Sequence, residues 1–313
     1  MKLTPRAALI CAAVGLAIIA LMFVIYGNQE KDGGNAPKIR TVILESVSNA
    51  SGLIIIEHEG QRFAATVDEV PEWNRKEAPP PLITWSSIHD GSMRGGEGRV
   101  AEYGEVEALA HIDGRAVFPY KTGRQSVVVR DGNQDIPLIT TATLKQLHKK
   151  AAKLASGPLF FEFEGLAYFA GGWELLVSVV RPNVQDTPKS TMAVFRMSFS
   201  RDGKLETISP PIRHEDGSLY TDYAAALDVT EDGLAIVPGF HGRGVSLVDN
   251  NGRIVHKIDL PTSRVEGVFW DAKNHELFLV RECVGAGTAC RDGVHFGVKL
   301  WIASFPNGLL PKD

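Results

Sequence analysis

FEGLAYFAGGWELLVSVVRP, residues Phe163 to Pro182, decides the fold class. Two runs rich in Leu, Val and aromatic residues flank Gly171-Gly172, the pattern of two strands joined by a tight turn. The pattern recurs as VEALAHIDGRAVFPYKTG from Val106 and as VEGVFWDAKNHELFLVREC from Val265. Each copy opens on a glutamate, followed by two small or apolar residues, an aromatic or His position, a turn and a second strand. The interval from Glu164 to Leu175 equals that from Glu266 to Leu277, and the two second strands arrive at Arg181 and Arg281. ALDVTEDGLAIVPGF, from Ala226, is a weaker fourth copy in which Asp228 takes the acidic position.

The intervals between Glu107, Glu164, Asp228 and Glu266 bracket the roughly 40 to 50 residues of a four-stranded blade. With the strands expected between residues 39 and 100, they predict an all-β fold, a β-propeller of about five to seven blades. A β-sandwich also has short strands and frequent turns, but it does not predict a recurrent acid at the head of a strand pair. Hairpins are expected at Glu59-Gly60 and Asn251-Gly252, and DGSMRGGEGR (90–99) reads as a surface loop. One helix is expected from about Thr141 to Ala155, where Leu144, Leu147, Ala151 and Leu154 repeat at helical spacing before Gly157-Pro158.

Toward the N-terminus, Lys2 and Arg6 precede an uncharged run from Ala7 to Tyr26, long enough to cross a bilayer as a helix. Basic residues before the run and Glu30 and Asp32 after it predict an N-terminus inside and the bulk of the chain outside. The expected division is an anchor (1–27), a polar tether (28–37) and a propeller-like domain (38–313). The expected place is the inner membrane, single-pass, with the C-terminal domain in the periplasm. A cleaved signal peptide ending near Gly27 is the alternative. Against 37 acidic residues stand 33 basic ones, a net charge of −4, which gives no electrostatic footprint for nucleic acid. Cys11 falls in the apolar run; Cys283 and Cys290 flank VGAGTA and are expected to close a short disulfide in an oxidising compartment, with free thiols as the alternative.

These repeats resemble a bacterial family of uncharacterised propeller-like domains marked by repeated EGLA strand motifs. That family is similar to the esterase-like domain of some phytases and more remotely to gluconolactonase-type propellers. The matching segments, in order, are VEALAHIDGR, EGLAYFAGGWELLVSVVRP, LDVTEDGLAIVPG and VEGVFWD, within about residues 98 to 304. Ala108 stands where glycine is usual, and FPYKTG replaces a serine and histidine the family tends to show. Gluconolactonase-type propellers hold a divalent cation with such a glutamate, so the resemblance implies a Ca²⁺ site at Glu107, Glu164, Asp228 and Glu266, whose hard oxygens suit that ion. The alternative is structural: each acid accepts backbone N–H bonds or pairs with Arg181 or Arg281, which are otherwise candidates for ligand binding.

No GxSxG, HExxH or GxxxxGK motif is present. Two functions follow. The chain is expected to be a membrane-anchored binding or scaffold module that engages an envelope protein or small ligand. The alternative is a metal-dependent hydrolase of phosphoester, ester or lactone substrates.

Overall fold

Short apolar runs end at tight turns throughout the computed structural model, which describes residues 37–310 apart from 45–46, 48–49, 69–81, 100–105, 107, 113–114, 122–125, 133, 155–156, 182–189, 282–290, 293–294 and 297. Strand β1 (Lys38–Leu44) precedes a first sheet of β2 (Ala50–His58), β3 (Gln61–Asp68), β4 (Leu82–Ser87) and β5 (Met93–Arg99). A second sheet holds β6 (Ala110–Ile112), β7 (Arg115–Lys121), β8 (Val127–Asp131) and β9 (Gln134–Pro137), followed by helix α1 (Thr141–Ala151). The third is β10 (Phe160–Phe169), β11 (Gly172–Arg181), β12 (Ser190–Ser200) and β13 (Leu205–Ile208). The fourth is β14 (Asp228–Val229), β15 (Ala235–Pro238), β16 (Val245–Val248) and β17 (Ile254–Ile258). The fifth joins β18 (Val265–Asp271) and β19 (Glu276–Arg281) to β22 (Val298–Ser304) and to β1 as its outer strand; β20 (Arg291–Asp292) and β21 (His295–Phe296) form a separate short ladder.

All pairings within the four-stranded sheets are antiparallel. The first strands of successive sheets, β2, β6, β10, β14 and β18, neighbour one another, and β18 returns to β2. The chain is therefore a closed ring of blades, a β-propeller, with five four-stranded sheets among the described residues. Because β1 pairs with β22 from Lys38↔Ser304 to Leu44↔Val298, the first and last described strands share one blade and lock the ring. The core divides in the same way. Five apolar clusters lie one to each junction, for example Phe195 and Phe199 against Leu138 and Leu147, and Leu247 against Leu277.

Expected local features are found with small shifts. Glu59 and Gly60 both take positive φ in the β2–β3 turn, as a two-residue hairpin requires. Helix α1 is capped by the Thr140 side chain accepting from Thr143 N–H and buries Leu144, Leu147 and Ala151. It ends at Ala151, short of Ala155, in a turn whose Leu154 N–H donates to Ala151 O at 2.9 Å. Residues 93–99 of the expected loop form strand β5, where Gly95 and Gly96 pair with Trp85 and Thr84.

Three expectations are corrected. No helix among the described residues is long and apolar enough to cross a membrane. The Ala7–Tyr26 run, which led to the anchor, the single-pass topology and the periplasmic placement, lies outside the described residues. The reading as a membrane-anchored binding or scaffold module, which drew on that anchor and on the absence of catalytic motifs, falls with it. The Cys283–Cys290 disulfide has no support either, because all three cysteines lie outside the described residues.

Closing the ring forces the inner strands together, and the sequence answers with small residues. A Cβ on Gly52 would stand 2.4 Å from Leu109 N, one on Gly165 would stand 2.5 Å from Ala226 C, and one on Gly267 would stand 2.7 Å from Leu53 Cβ. Gly52, Ala108, Gly165, Ala226 and Gly267 thus form one level around the axis. At the first-to-last junction, Arg62 Nη1 donates to Asp271 Oδ2 at 2.9 Å and to Glu276 Oε2 at 2.6 Å. Gly165→Ala is expected to lower stability by about 1–3 kcal/mol through overpacking against backbone. Gly95→Ala, whose Cβ would meet only Trp85 at 3.6 Å, is expected to change it much less. Urea midpoints of the two variants check this. In the same assay, Arg62→Ala leaves two mostly buried carboxylates without their cation and is expected to cost about 1.5–3 kcal/mol.

Candidate functional site at the heads of the inner strands

The small-residue level also fixes which residues are equivalent. One position earlier stand Ser51, Glu107, Glu164, Ala225 and Glu266. Three inner strands break register there, between Ser51 and Leu53, Phe163 and Leu166, and Val265 and Gly267. A bulge adds a residue to one strand and re-aims its side chain, and bulges are frequent beside active sites. Glu164 and Glu266 therefore share a level; Glu107, at the equivalent place in its sequence repeat, lies outside the described residues.

Glu164 is only 6% exposed and accepts a short hydrogen bond from the Tyr223 hydroxyl through Oε1. Tyr223 comes from the segment that crosses from the third blade to the fourth. Its ring stands edge-on to Phe240, with centroids 5.6 Å apart, and its carbonyl accepts from Phe240 N–H at 3.2 Å. Neighbouring Asp222 organises the loop Gly239–Gly244 (GFHGRG): its Oδ1 accepts from Tyr223 N–H and His241 N–H, both at 2.9 Å, and its Oδ2 from Gly242 N–H at 2.8 Å. A Cβ on Gly239 would approach Asp222 Oδ2 to 2.6 Å, so the loop wraps the carboxylate only because it lacks side chains there. Phe240 O in turn accepts at 2.7 Å from Arg264 N–H. Arg264 precedes Val265 and Glu266 and holds a positive φ of 57°, which is uncommon outside glycine and costs local strain.

Arg181 and Arg281 end β11 and β19 at this same end of their blades, and Arg281 is the register partner of Val265. Asp228 stands apart from the glutamates. It lies two residues beyond Ala226 and heads β14, where its Oδ1 accepts from Val229 N–H at 2.8 Å and its Oδ2 from Trp270 N–H at 2.6 Å on β18. It stitches the fourth blade to the fifth. Burial pushes its carboxyl up to about 7, Glu231 adds to the rise, and the two N–H donors oppose it. Among the described residues no group of three or more His, Cys, Asp or Glu is placed to hold a metal ion.

Sequence reasoning missed Asp222, Tyr223 and Phe240. The glycine density of GFHGRG was a visible signal, but its meaning depends on an aspartate 17 to 22 residues earlier in the chain. Comparison with known proteins adds little to the geometry. No family model and no curated protein matches the chain, so the EGLA-marked family is not identified by comparison. Solved structures that are similar include a luciferin-regenerating enzyme (11% identity, 87% of this chain and 96% of that one, TM-score 0.45). They also include a calcium-binding regucalcin from Agrobacterium tumefaciens (9% identity, 83% and 95%, TM-score 0.40). A third is a glycosyl hydrolase from Bacteroides ovatus (14% identity, 87% and 88%, TM-score 0.41). Likeness at this level says nothing of activity.

Asp228 yields a prediction with a definite sign. Its folded pKa lies above the ordinary value of 3.8, so the folded state binds the proton more tightly. Its contribution is fully present below about pH 4 and lost as pH rises through about 7. Between those values wild-type stability should fall relative to Asp228→Asn by up to about 1.4 kcal/mol per pH unit. Urea midpoints of both proteins from pH 4 to 8 check this; parallel curves would contradict it.

Proposed function

We propose that this chain is a hydrolase of phosphoester, ester or lactone substrates acting at the mouth of the ring headed by Glu107, Glu164 and Glu266. The observation that carries the reading is the recurrence of a carboxylate at one level of the ring, with Glu164 buried and held by Tyr223. These acids are hard oxygen donors and fit Ca²⁺ in kind. The reading leaves Asp228 out, because it lies two residues beyond the ring position and its oxygens are engaged by Val229 N–H and Trp270 N–H at the junction of the fourth and fifth blades.

When bound, a divalent cation there would polarise a carbonyl or phosphoryl oxygen. The chain's own residues do the rest. Tyr223 fixes the orientation of Glu164 through its hydroxyl, Phe240 backs Tyr223 edge-on, and Asp222 holds the loop that carries Phe240. Arg181 and Arg281, at the ends of β11 and β19, put positive charge on the same rim for an anionic leaving group or product.

Calorimetric titration with CaCl₂ is expected to give a saturable heat that Glu164→Gln and Glu266→Gln abolish. Turnover of p-nitrophenyl phosphate, p-nitrophenyl acetate or δ-gluconolactone in the presence of CaCl₂ is expected to fall by about 10- to 100-fold in Tyr223→Phe, as when a ligand loses its supporting hydrogen bond. A flat titration together with no turnover of any of the three would refute the reading.

A further inference from the structure

At the opposite end of the third blade lies a cleft of about 570 Å³ that the glutamate level does not use. Its walls come from the β10–β11 turn at Phe169, from β12 at Ser198, from β13 at Thr207, and from Asn250 in the next blade. Glu174 and Arg196 line it too, and both are more than nine-tenths buried. Arg196 Nε donates to Glu174 Oε2 at 2.9 Å, Ser198 Oγ donates to the same oxygen at 3.0 Å, and Arg196 Nη1 donates to Gly233 O at 2.9 Å.

This pairing leaves matched groups unused. Glu174 Oε1 has no protein donor and Arg196 Nη2 no protein acceptor among the described residues, yet neither is sealed from solvent. A guanidinium edge beside a carboxylate oxygen presents a donor and an acceptor side by side, with the side chains of Ser198 and Asn250 within the same walls. The ion pair is internally neutral. An anion would meet Glu174 and the rim carboxylate of Glu206, and a cation would meet Arg196. The half-buried ring of Phe169 supplies an apolar wall. The volume falls within the roughly 300–1,000 Å³ of small-molecule sites.

We infer that this cleft binds a neutral polyhydroxylated small molecule, a sugar or polyol, whose adjacent hydroxyls donate to Glu174 and accept from Arg196. The site is separate from the proposed reaction centre, because Phe169 lies five residues beyond Glu164 on β10 and Arg196 stands two strands outward from it, across Leu176 of β11.

Saturation-transfer NMR on the full chain with glucose, mannose, N-acetylglucosamine and mannitol as probes tests the inference. At least one probe should receive saturation. Thr207→Trp, an exposed β13 position on the cleft wall, should reduce that signal at least tenfold without changing the thermal midpoint. Asn250→Ala should weaken it, and Glu164→Gln should leave it unchanged, which separates this site from the hydrolase reading. No transfer to any probe, transfer that persists in Thr207→Trp, or displacement of the bound probe by inorganic phosphate would overturn the proposal.

Discussion

The fold depends on how closely five inner strands approach one another around the axis. Backbone meets backbone there, so the residue at each contact must be small: Gly52, Gly165 and Gly267 have less than 3 Å of room for a Cβ, and Ala108 and Ala226 complete the level. Gly52 carries a second constraint, a φ of 74°, which glycine adopts without penalty. Larger residues at this level would push the blades apart and expose the five apolar layers between them. Those layers bury most of the large side chains, including Trp173, Phe195, Phe199 and Phe278. Small residues at the centre and bulky ones between blades are thus two halves of one packing solution.

The same constraint explains what was legible in the sequence. The EG pair is recognisable because glycine is required sterically, and its spacing reports the blade repeat. The propeller therefore follows from Glu164-Gly165 and Glu266-Gly267 with little else. The fourth copy is harder to align for the same reason. In the fourth blade the ring position is alanine, preceded by Ala225, and the nearest acid downstream, Asp228, draws the eye although it serves a blade junction. An acidic residue near a repeat reads alike in sequence whether it points to a channel or ties two strands.

Tyr223 and Asp222 were illegible for a different reason. They sit in a connection between blades, where no periodicity constrains residue type, and they act on partners distant in the chain: Tyr223 on Glu164, Asp222 on His241 and Gly242. Long-range hydrogen bonds leave no pattern in a single sequence. The cleft is hidden likewise, since Glu174 and Arg196 occupy ordinary alternating strand positions on β11 and β12 and become a pair only through the register Leu176↔Arg196.

Several polar and charged groups at the blade junctions bond across to the neighbouring blade. Arg62 reaches Asp271 and Glu276 across the closure, Arg196 reaches Gly233 O between the third and fourth blades, and Trp270 Nε1 reaches Glu231 at 3.2 Å between the fifth and fourth. Apolar layers hold the blades together without direction, whereas these bonds have geometry and so fix how each blade is rotated against the next. Rotation matters most at the axis, because a small turn of one blade changes the height of its inner strand relative to the ring. The bonds at the seams therefore keep Glu164 and Glu266 at a common level, and polar contacts far from the mouth preserve its geometry.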